Sequence, residues 1–286
     1  MRLSVKEMKE RLKKPNAQVE PLKQARNFAP FPANRPLDWE QYRVEQGLWY
    51  LPNYISSDLE GGLLGEILEQ PASTWVPLRG RRLQNWGGIV TSAGLYQPSP
   101  LPSWLCIFSQ RLLSEGLFPT APNHALINDY LPGEGIMPHT DGPAYFPKVA
   151  IVSLGADTAF QFWSLGRVPS VALRVEARSL LVFSELYYTD LLHGIEAKGE
   201  DVWLADDCGK VYTEASGLLS EARNVSIGNG TVSIPTEYQC PNCLGSLSMI
   251  GTNVRGRRIS MTIRVVPPFN PDLAPDPLPL YSPTPY

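Results

Sequence analysis

The stretch RRISMTIRVV, residues 257–266, alternates apolar and polar side chains with a two-residue period. Successive side chains of a strand point to opposite faces of a sheet, so this period predicts a β-strand with two different faces. The apolar face contains Ile259, Met261, Ile263 and Val265, and the polar face contains Arg258, Ser260, Thr262 and Arg264. The polar face either lines the inside of a jelly roll, where arginines need anionic partners, or is an ordinary exposed face.

Five further apolar runs between residues 124 and 184 have the length of strands. Each is bounded by Gly, Pro, Ser or a charged residue: HALINDYL, VAIVSLG, AFQFW, VALRVEA and SLLVFS. They follow one another closely, without the alternating helices of a βαβ pattern. This rhythm predicts a β-sandwich or a jelly roll.

Two helices are predicted ahead of these strands. A leucine-rich stripe in SSDLEGGLLGEILEQ, residues 56–70, predicts the first, with Ser57 or Asp58 as its N-cap. The second is predicted after Pro102, with Ser103 as its cap, because it has one apolar face formed by Leu105, Phe108 and Leu112. The expected fold class is therefore mainly β with flanking helices.

Changes in composition divide the chain into one domain and its attachments. Residues 1–37 are first basic and amphipathic and then proline-rich, which is typical of an arm. Residues 38–267 form the predicted domain, but residues 199–254 lack periodicity, so we interpret them as an inserted, mobile loop. Residues 268–286 form a proline-rich tail that is expected to be extended or disordered.

Composition also restricts the functional classes. The 286 residues carry a net charge of −3, which argues against a broad electrostatic grip on nucleic acid but leaves room for a local basic patch. No apolar run approaches the roughly 18 residues of a membrane span, and the N-terminus does not have the pattern of a signal peptide. Four cysteines are too few and too unevenly placed for a disulfide framework. We therefore expect a monomer in the cytoplasm and nucleus, without membrane contacts.

Two of the three histidines belong to a pattern that binds metals. His139 and Asp141 are two positions apart, so on an extended chain they project to one face. His193 follows the run SLLVFS and could supply a third ligand. Two imidazoles and one carboxylate form the facial triad of non-heme Fe(II) oxygenases, which leaves metal positions open for a co-substrate and O₂. An HxD pair taken alone is more often an ordinary polar turn.

A dicarboxylate co-substrate such as 2-oxoglutarate needs a buried cation at the end far from the metal, and the fork of an arginine suits it. Arg258 and Arg264 are the candidates, but their Cα atoms would be about 20 Å apart on a straight strand. A five-carbon dicarboxylate is shorter, so either both side chains lean inward or only one binds directly. Asn128 and Tyr130 alternate in the same manner and could hydrogen-bond the carboxylates.

Three segments together resemble the AlkB family of Fe(II)/2-oxoglutarate dioxygenases: NDYLPGEGIMPHTDGPAYFPKVAIVSLG, YTDLLHGI and RRISMTIRVVP. The resemblance covers residues 45–267 without 199–254, and the N-x-Y, HxD, H and R-x₅-R motifs occur in family order. GRRLQNWGG with the following LPSWL is most similar to the subgroup known as AlkB homologue six. The resemblance implies a double-stranded β-helix (jelly-roll) core with N-terminal helices and a nucleotide-recognition lid.

The resemblance also implies a role for each motif residue. The implied Fe(II) ligands are His139, Asp141 and His193, with 2-oxoglutarate and O₂ as co-substrates. The implied 2-oxoglutarate contacts are Asn128, Tyr130, Arg258, Ser260 and Arg264. Among these, Arg258 resembles the arginine that pairs with the distal carboxylate, and Arg264 resembles the second arginine of the motif. Ser260 falls where family members carry a small polar contact residue.

In the AlkB family the segment before the core closes over a flipped-out base, and here it would span roughly residues 78–100. The candidates for stacking on the base are Trp86 and Tyr96. The candidates for phosphate contacts are Arg79, Arg81 and Arg82. Trp86 could instead be a hydrophobic anchor for the loop, and the arginines could instead form a solvated surface turn.

Two features lie outside the family pattern. His124 is interpreted as a structural or surface histidine, because it is not part of the triad. Cys240 and Cys243 form a CxxC pair to which Cys208 could add a third zinc ligand. We favour free thiols in a flexible loop, because no fourth cysteine or histidine occurs within the insertion.

The function implied by the resemblance is oxidative demethylation of alkylated nucleobases in DNA or RNA, as in DNA repair or RNA demethylation. One alternative is an oxygenase that acts on a protein side chain or a small molecule, because it would share the triad and differ only in the lid. The other is a non-catalytic nucleic-acid-binding module on the same scaffold. The intact ligand set argues against that module, since a pure binder has no need of it.

Overall fold

The computed structural model describes residues 37–206, 210–215, 218–223, 232–233 and 247–273. The α-helices in these residues are α1 (Ser57–Leu68), α2 (Ser103–Ser114) and the short α3 (Leu186–Thr189). None of these described helices is long and apolar enough to cross a membrane. The predicted arm, apart from Leu37, and the three cysteines of the predicted insertion lie outside the described residues.

Strands account for most of the regular structure in the described part. In chain order they are β1 (Arg43–Glu45), β2 (Leu48–Leu51), β3 (Val76–Leu78), β4 (Arg81–Trp86), β5 (Ile89–Thr91), β6 (Gly94–Tyr96), β7 (His124–Tyr130), β8 (Ile136–His139), β9 (Lys148–Leu154), β10 (Thr158–Ser164), β11 (Pro169–Val175), β12 (Leu180–Ser184), β13 (Leu191–Ile195), β14 (Glu200–Asp206), β15 (Val211–Ala215), β16 (Leu218–Arg223), β17 (Val232–Ser233), β18 (Leu247–Val254) and β19 (Arg258–Arg264).

The strands form two large sheets and a small hairpin, β5–β6. The first sheet has the order β1-β2-β12-β9-β19-β7-β4-β3, and the second has the order β17-β18-β14-β15-β16-β11-β10-β13-β8. Eight core strands are divided equally between them. The first sheet contains β7, β9, β12 and β19, and the second contains β8, β10, β11 and β13, all in antiparallel pairs. This topology confirms the predicted jelly roll.

The two faces of β19 separate two hydrophobic clusters. The apolar face packs in a cluster with both long helices and includes Ile259, Met261 and Ile263. The polar face points between the sheets, where Arg258 is 3% exposed and Arg264 is 4% exposed. The two-faced strand is therefore confirmed, and the alternative of an exposed polar face is wrong.

Both predicted helices are present, but each N-cap position lies before the residues predicted to be the cap, which are Ser57 or Asp58 in α1 and Ser103 in α2. Ser56 is the N-cap of α1, and its side chain accepts a hydrogen bond from the backbone N–H of Leu59 at 3.2 Å. Ser103 is the first residue of α2, and Pro102 occupies its cap position without a side-chain hydrogen bond. The apolar face of α2 is buried as predicted, at Leu105, Phe108 and Leu112.

The described residues of the segment 199–254 form β14 to β18, so the prediction of a loop is wrong for them. These strands extend the second sheet beyond β11. Trp203 is buried in a small cluster against Ala159 and Ala172 of the jelly roll. Asp201 and Arg255 form a buried ion pair, with Nε to Oδ2 at 2.9 Å. The sequence concealed these strands because their polar residues show little periodicity, although β14, β15 and β16 pair with their neighbours in the chain.

Candidate metal and co-substrate site

His139, Asp141 and His193 meet where β8 pairs with β13. His139 lies opposite His193 in the antiparallel register, and Asp141 follows two residues after His139. The potential ligand atoms of the three side chains all lie within 4.8 Å of one another. Gly194 permits this close pairing, since a Cβ there would lie 2.7 Å from the carbonyl oxygen of Ile136. The structure therefore brings the predicted triad together.

The two imidazoles are oriented in different ways. His139 Nδ1 lies 2.9 Å from the carbonyl oxygen of Met137, which can only accept, so Nδ1 carries the proton and Nε2 presents a lone pair. The His193 ring stacks on Phe160 with a centroid distance of 5.8 Å, and it also contacts Phe183. Nδ1 of His193 is buried without a hydrogen-bond partner among the described residues. Aromatic packing therefore takes the place of a hydrogen bond at His193.

Both imidazoles are neutral at pH 7, as metal ligands must be. Burial, followed by the neighbouring His139, lowers the pKa of His193 to about 3. Burial also lowers the pKa of His139, although Asp141 opposes this effect. The nitrogen lone pairs are therefore available to a cation over the physiological pH range.

Arg264 holds the carboxylate of Asp141. Its Nε donates to Oδ2 at 3.2 Å, and its Nη2 donates to Oδ1. Burial alone would raise the pKa of Asp141, but the charge of Arg264 and its hydrogen bond to the carboxylate outweigh burial and keep the pKa below its usual range. The carboxylate is therefore ionised and fixed without a metal. Because Arg264 is committed to Asp141, its predicted contact with 2-oxoglutarate stays a prediction.

Arg258 lies at the other end of β19 and has open hydrogen-bond donors. Its Nη2 donates to Oγ of Ser153 at 2.8 Å, but Nε and Nη1 are buried without a partner in the described part of the chain. A pocket here is lined by Arg258, Tyr130 and Thr158, among others, and the Thr158 hydroxyl likewise lacks a partner in that part. Burial lowers the pKa of Arg258 to about 10, so the side chain is still charged at pH 7. A buried cation with open donors favours an anionic ligand.

Asn128 lies between the two ends of the site, opposite Ser260 in the pairing of β7 with β19. Its Oδ1 accepts a hydrogen bond from Nε of Arg81 at 3.0 Å. Tyr130 faces the same side, and burial raises the pKa of its hydroxyl, which therefore remains a proton donor. Sequence reasoning missed Ser153 and Thr158. The polar side chain of Ser153 inside the apolar run VAIVSLG was a sequence signal that could have identified it. No sequence signal identified Thr158.

The candidate lid residues do not lie on one surface. Three of them lie on β4, a strand of the first sheet whose successive side chains face opposite sides. Arg82 donates through Nε to Oδ2 of Asp129 at 2.7 Å, and its guanidinium lies 4.0 Å over the ring of Trp75. Trp86 packs edge-to-face on Trp104 of α2, with ring centroids 5.8 Å apart. Both side chains thus face the helical side of the sheet, as alternation along a strand requires. Trp86 therefore packs as a hydrophobic anchor and Arg82 pairs with Asp129, while their contacts with a substrate stay predictions.

Tyr96 and Arg79 are the remaining lid candidates. Tyr96 lies in the β5–β6 hairpin and packs edge-to-face on Phe269, with centroids 5.2 Å apart. The segment after β19 holds this hairpin, since the backbone N–H of Leu95 donates to the carbonyl oxygen of Pro267 at 2.9 Å. Arg79 is exposed in the β3–β4 turn. Their contacts with a substrate, and closure of the segment as a lid, stay predictions.

His124 is a structural histidine, in agreement with one of its two predicted roles. It is fully buried, and its Nε2 lies 2.7 Å from Oδ1 of Asn85. Burial, followed by the charge of Arg264, lowers its pKa to about 3. His124 is therefore neutral and lies outside the triad.

The donor set fits Fe(II) together with a dicarboxylate. Two neutral imidazoles and one ionised carboxylate match the facial triad in number and chemical type. Within the described residues, no other group of three or more potential His, Cys, Asp or Glu ligands comes together. The open donors of Arg258 suit a carboxylate that the triad does not hold.

Comparison with known proteins identifies the family. The chain is 36% identical over 184 residues to the probable RNA/DNA demethylase ALKBH6 of Danio rerio, and the alignment covers 59% of the chain and 78% of that relative. The chain belongs to the AlkB family. It is thus an Fe(II)/2-oxoglutarate-dependent dioxygenase, with Fe(II) as its metal and 2-oxoglutarate and O₂ as co-substrates.

Two further likenesses are more distant. The AlkB-family chain is 29% identical over 165 residues to the tRNA (carboxymethyluridine(34)-5-O)-methyltransferase alkbh8 of Xenopus tropicalis, which covers 54% of the chain and 26% of that relative. Among solved structures, OsALKBH1 matches with a TM-score of 0.47 and 14% identity, over 78% of this chain and 99% of that one. No family model matches the chain.

Proposed function

We propose that this dioxygenase oxidatively demethylates alkylated bases in DNA or RNA, and that His139, Asp141 and His193 bind its Fe(II). The observation that carries the proposal is the fixed triad at one end of β19, together with the buried open donors of Arg258 at the other. The nucleic-acid substrate is supported by the name of the Danio rerio relative. Bound Fe(II) supplies the activation of O₂ that oxidises the methyl group, which then leaves as formaldehyde.

The residues around the triad fix the ligands. Arg264 keeps the Asp141 carboxylate ionised and in one orientation. The carbonyl oxygen of Met137 fixes the proton of His139 on Nδ1 and leaves Nε2 for the metal. Phe160 holds the His193 ring by stacking and excludes water behind it. Ligand orientation of this kind strengthens metal binding without direct contact.

A second set of residues holds 2-oxoglutarate. Arg258 pairs with the carboxylate far from the metal, and Ser153 keeps the guanidinium in place. Tyr130 donates its hydroxyl proton, and Asn128 and Ser260 offer short polar groups along the same face. A co-substrate held at both ends cannot rotate, so its keto acid end remains next to the triad.

The substrate is expected to enter near Tyr96 and Arg79, because both remain accessible on the segment predicted as a lid. The cytoplasmic and nuclear location and the monomeric state also stay proposals. They rest on the cysteine usage and composition of the chain.

Formaldehyde release from oligonucleotides that carry N-methylated bases tests the proposed substrate. Single-stranded DNA, single-stranded RNA and duplex DNA are incubated with Fe(II), 2-oxoglutarate and O₂, beside unmethylated oligonucleotides of the same sequence. We expect the wild type to release formaldehyde from at least one methylated strand and Asp141→Ala to release none. Succinate formation that no methylated oligonucleotide increases, with no formaldehyde, would instead indicate a protein or small-molecule substrate.

A further inference from the structure

Arg81 faces the co-substrate site, unlike its neighbour Arg82. In the pairing of β4 with β7, Leu83 lies opposite Asn128, and Arg82 lies opposite Asp129. Side chains two positions apart share a face, so Arg81 lies on the side of Asn128 and Arg82 on the helical side. Alternation along one strand therefore separates two adjacent arginines that look equivalent in the sequence.

The turn before Arg81 places this arginine beside the second sheet. Gly80 has a φ of +75°, and a Cβ at this position would lie 3.0 Å from the carbonyl oxygen of Gly135. Gly135, just before β8, is itself so close to β13 that a Cβ there would lie 2.3 Å from the carbonyl oxygen of Ile195. The β3–β4 turn, β8 and β13 therefore converge, and Arg81 begins β4 next to the strands that carry the two triad histidines.

A hydrogen bond links Arg81 to the site. Nε of Arg81 donates to Oδ1 of Asn128 at 3.0 Å. An arginine can only donate, so the amide oxygen of Asn128 must face Arg81 and the NH₂ group must face away from it. Asn128 is 7% exposed, so this polarity is set inside the protein and not by solvent. The NH₂ group is thus left to donate to an acceptor.

The charge of Arg81 acts on the same part of the site. Burial raises the pKa of the Tyr130 hydroxyl, while Arg81 opposes this rise more strongly than Arg258 does. Three cations therefore lower the pKa of Tyr130: Arg81 from β4, and Arg258 and Arg264 from β19. Arg264, the third arginine of the site, already pairs with Asp141.

We propose that Arg81 is a positioning residue for 2-oxoglutarate: it fixes the Asn128 amide with its NH₂ group toward the co-substrate, and it does not serve as a phosphate contact. The inference rests on the proposed function of Asn128 and Arg258 as the co-substrate pocket. Without Arg81, the Asn128 amide is free to turn its oxygen toward a carboxylate, and that arrangement repels the ligand.

The test is a double-mutant cycle read by direct binding. Calorimetric titration of 2-oxoglutarate into the Mn(II)-loaded protein gives Kd for the wild type, Arg81→Gln, Asn128→Ala and the double variant. Arg82→Gln is the matched control, because it removes the adjacent arginine on the opposite face. We expect Kd to rise about tenfold in Arg81→Gln, the order of one hydrogen bond to a charged group, and to stay unchanged in Arg82→Gln. On the Asn128→Ala background, Arg81→Gln should cause no further loss.

Three other results are informative. Wild-type Kd in Arg81→Gln, with weaker binding of a methylated oligonucleotide, would overturn the inference and restore the phosphate contact. Effects that multiply in the double variant would also overturn it, because Arg81 would then act without Asn128. Absence of 2-oxoglutarate binding by the Mn(II)-loaded wild type would refute the co-substrate pocket itself.

Thermal unfolding shows whether each variant is folded. If Arg81→Gln unfolds early, Arg81→Lys replaces it in the same cycle, because lysine keeps the charge but cannot reproduce the planar fork. We then expect an intermediate rise in Kd that again disappears on the Asn128→Ala background. A wild-type Kd in Arg81→Lys would overturn the proposed role of the Nε hydrogen bond.

Discussion

Each end of β19 carries a buried arginine, and the two arginines differ in their pairing with a carboxylate of the protein. At one end Arg264 is paired with Asp141, so its charge is compensated without any ligand. At the other end Arg258 has one hydrogen bond, to Ser153, and two buried nitrogens without a partner in the described residues. Both side chains are almost fully buried, so solvent does not account for the difference.

The difference shows that burying the charged side chains costs different amounts of free energy in the two halves of the site. The metal end is assembled in advance, because each charged group there already has a partner. At the co-substrate end, the free-energy cost of burying the Arg258 cation is offset when an anion binds. Binding of the dicarboxylate therefore completes the electrostatics of the fold, and this gives the pocket a preference for anions.

The largest effect is expected from removing the carboxylate at the metal end of β19. Asp141→Ala removes a ligand. The loss of a residue that only orients a ligand already costs about 10- to 100-fold in metal affinity. We therefore expect Mn(II) affinity to fall by more than about a hundredfold in equilibrium binding. The exposed Asp190→Ala is the control and should bind like the wild type. Equal affinities in both variants would remove Asp141 from the metal site.

Replacement of each arginine by methionine tests the comparison itself. Arg264→Met leaves the Asp141 charge buried and unpaired, which should cost about 3–5 kcal/mol of unfolding free energy. Arg258→Met removes an uncompensated cation, so the stability should be unchanged or slightly higher. Urea unfolding of the metal-free protein measures both values.

Added 2-oxoglutarate sharpens the same comparison. It should stabilise the Mn(II)-loaded wild type, by about 2.7 kcal/mol at a hundred times Kd, and leave Arg258→Met unaffected. Equal destabilisation of the metal-free protein by the two replacements would contradict the asymmetry between the ends of β19.

A smaller effect separates the pocket from the opposite face of β4. Trp86→Ala removes an indole that packs on Trp104, so it should lower the unfolding free energy by about 2–3 kcal/mol, below the range for a fully buried tryptophan. The Kd for 2-oxoglutarate should not change. Wild-type stability together with lost demethylation would instead support base stacking by Trp86.

The smallest effect concerns pH. The folded pKa of His124 is about 3, below the unfolded value of about 6.5, so the unfolded chain binds more protons between these values. The corresponding stability is complete above pH 6.5 and is lost as the pH falls toward 3. His124→Gln should reduce the loss between pH 7 and 5 by about 2 kcal/mol. Urea unfolding at both pH values measures it, and identical pH dependence in the variant and the wild type would refute the assignment.

Much of this comparison was predictable from local patterns. The alternation in RISMTIR predicts both faces of β19, and the two-residue spacing of His139 and Asp141 predicts a shared face. The series of short strands predicts a sandwich or a jelly roll, and the resemblance to the AlkB family selects the jelly roll. For the faces of β19 and the shared face of the pair, the information lies within one strand, so periodicity is sufficient.

What sequence reasoning missed depends on which strands become neighbours. Arg81 and Arg82 are adjacent in sequence, and only the pairing of β4 with β7 shows that Arg81 is the one on the side of Asn128. The pairing of Arg264 with Asp141 joins residues 123 positions apart. Strands β14 to β18 were missed for a different reason: several of them pair with their neighbours in the chain, but their polar residues show little periodicity.

Succinate formation from 2-oxoglutarate with Fe(II) and O₂, without nucleic acid, tests the central claim most directly. The claim is that both ends of β19 serve one reaction, so the wild type should form succinate slowly, and Asp141→Ala and Arg258→Met should form none. Turnover by Arg258→Met at the wild-type rate and wild-type KM would contradict the claim, because the open donors of Arg258 would then have no part in holding the co-substrate.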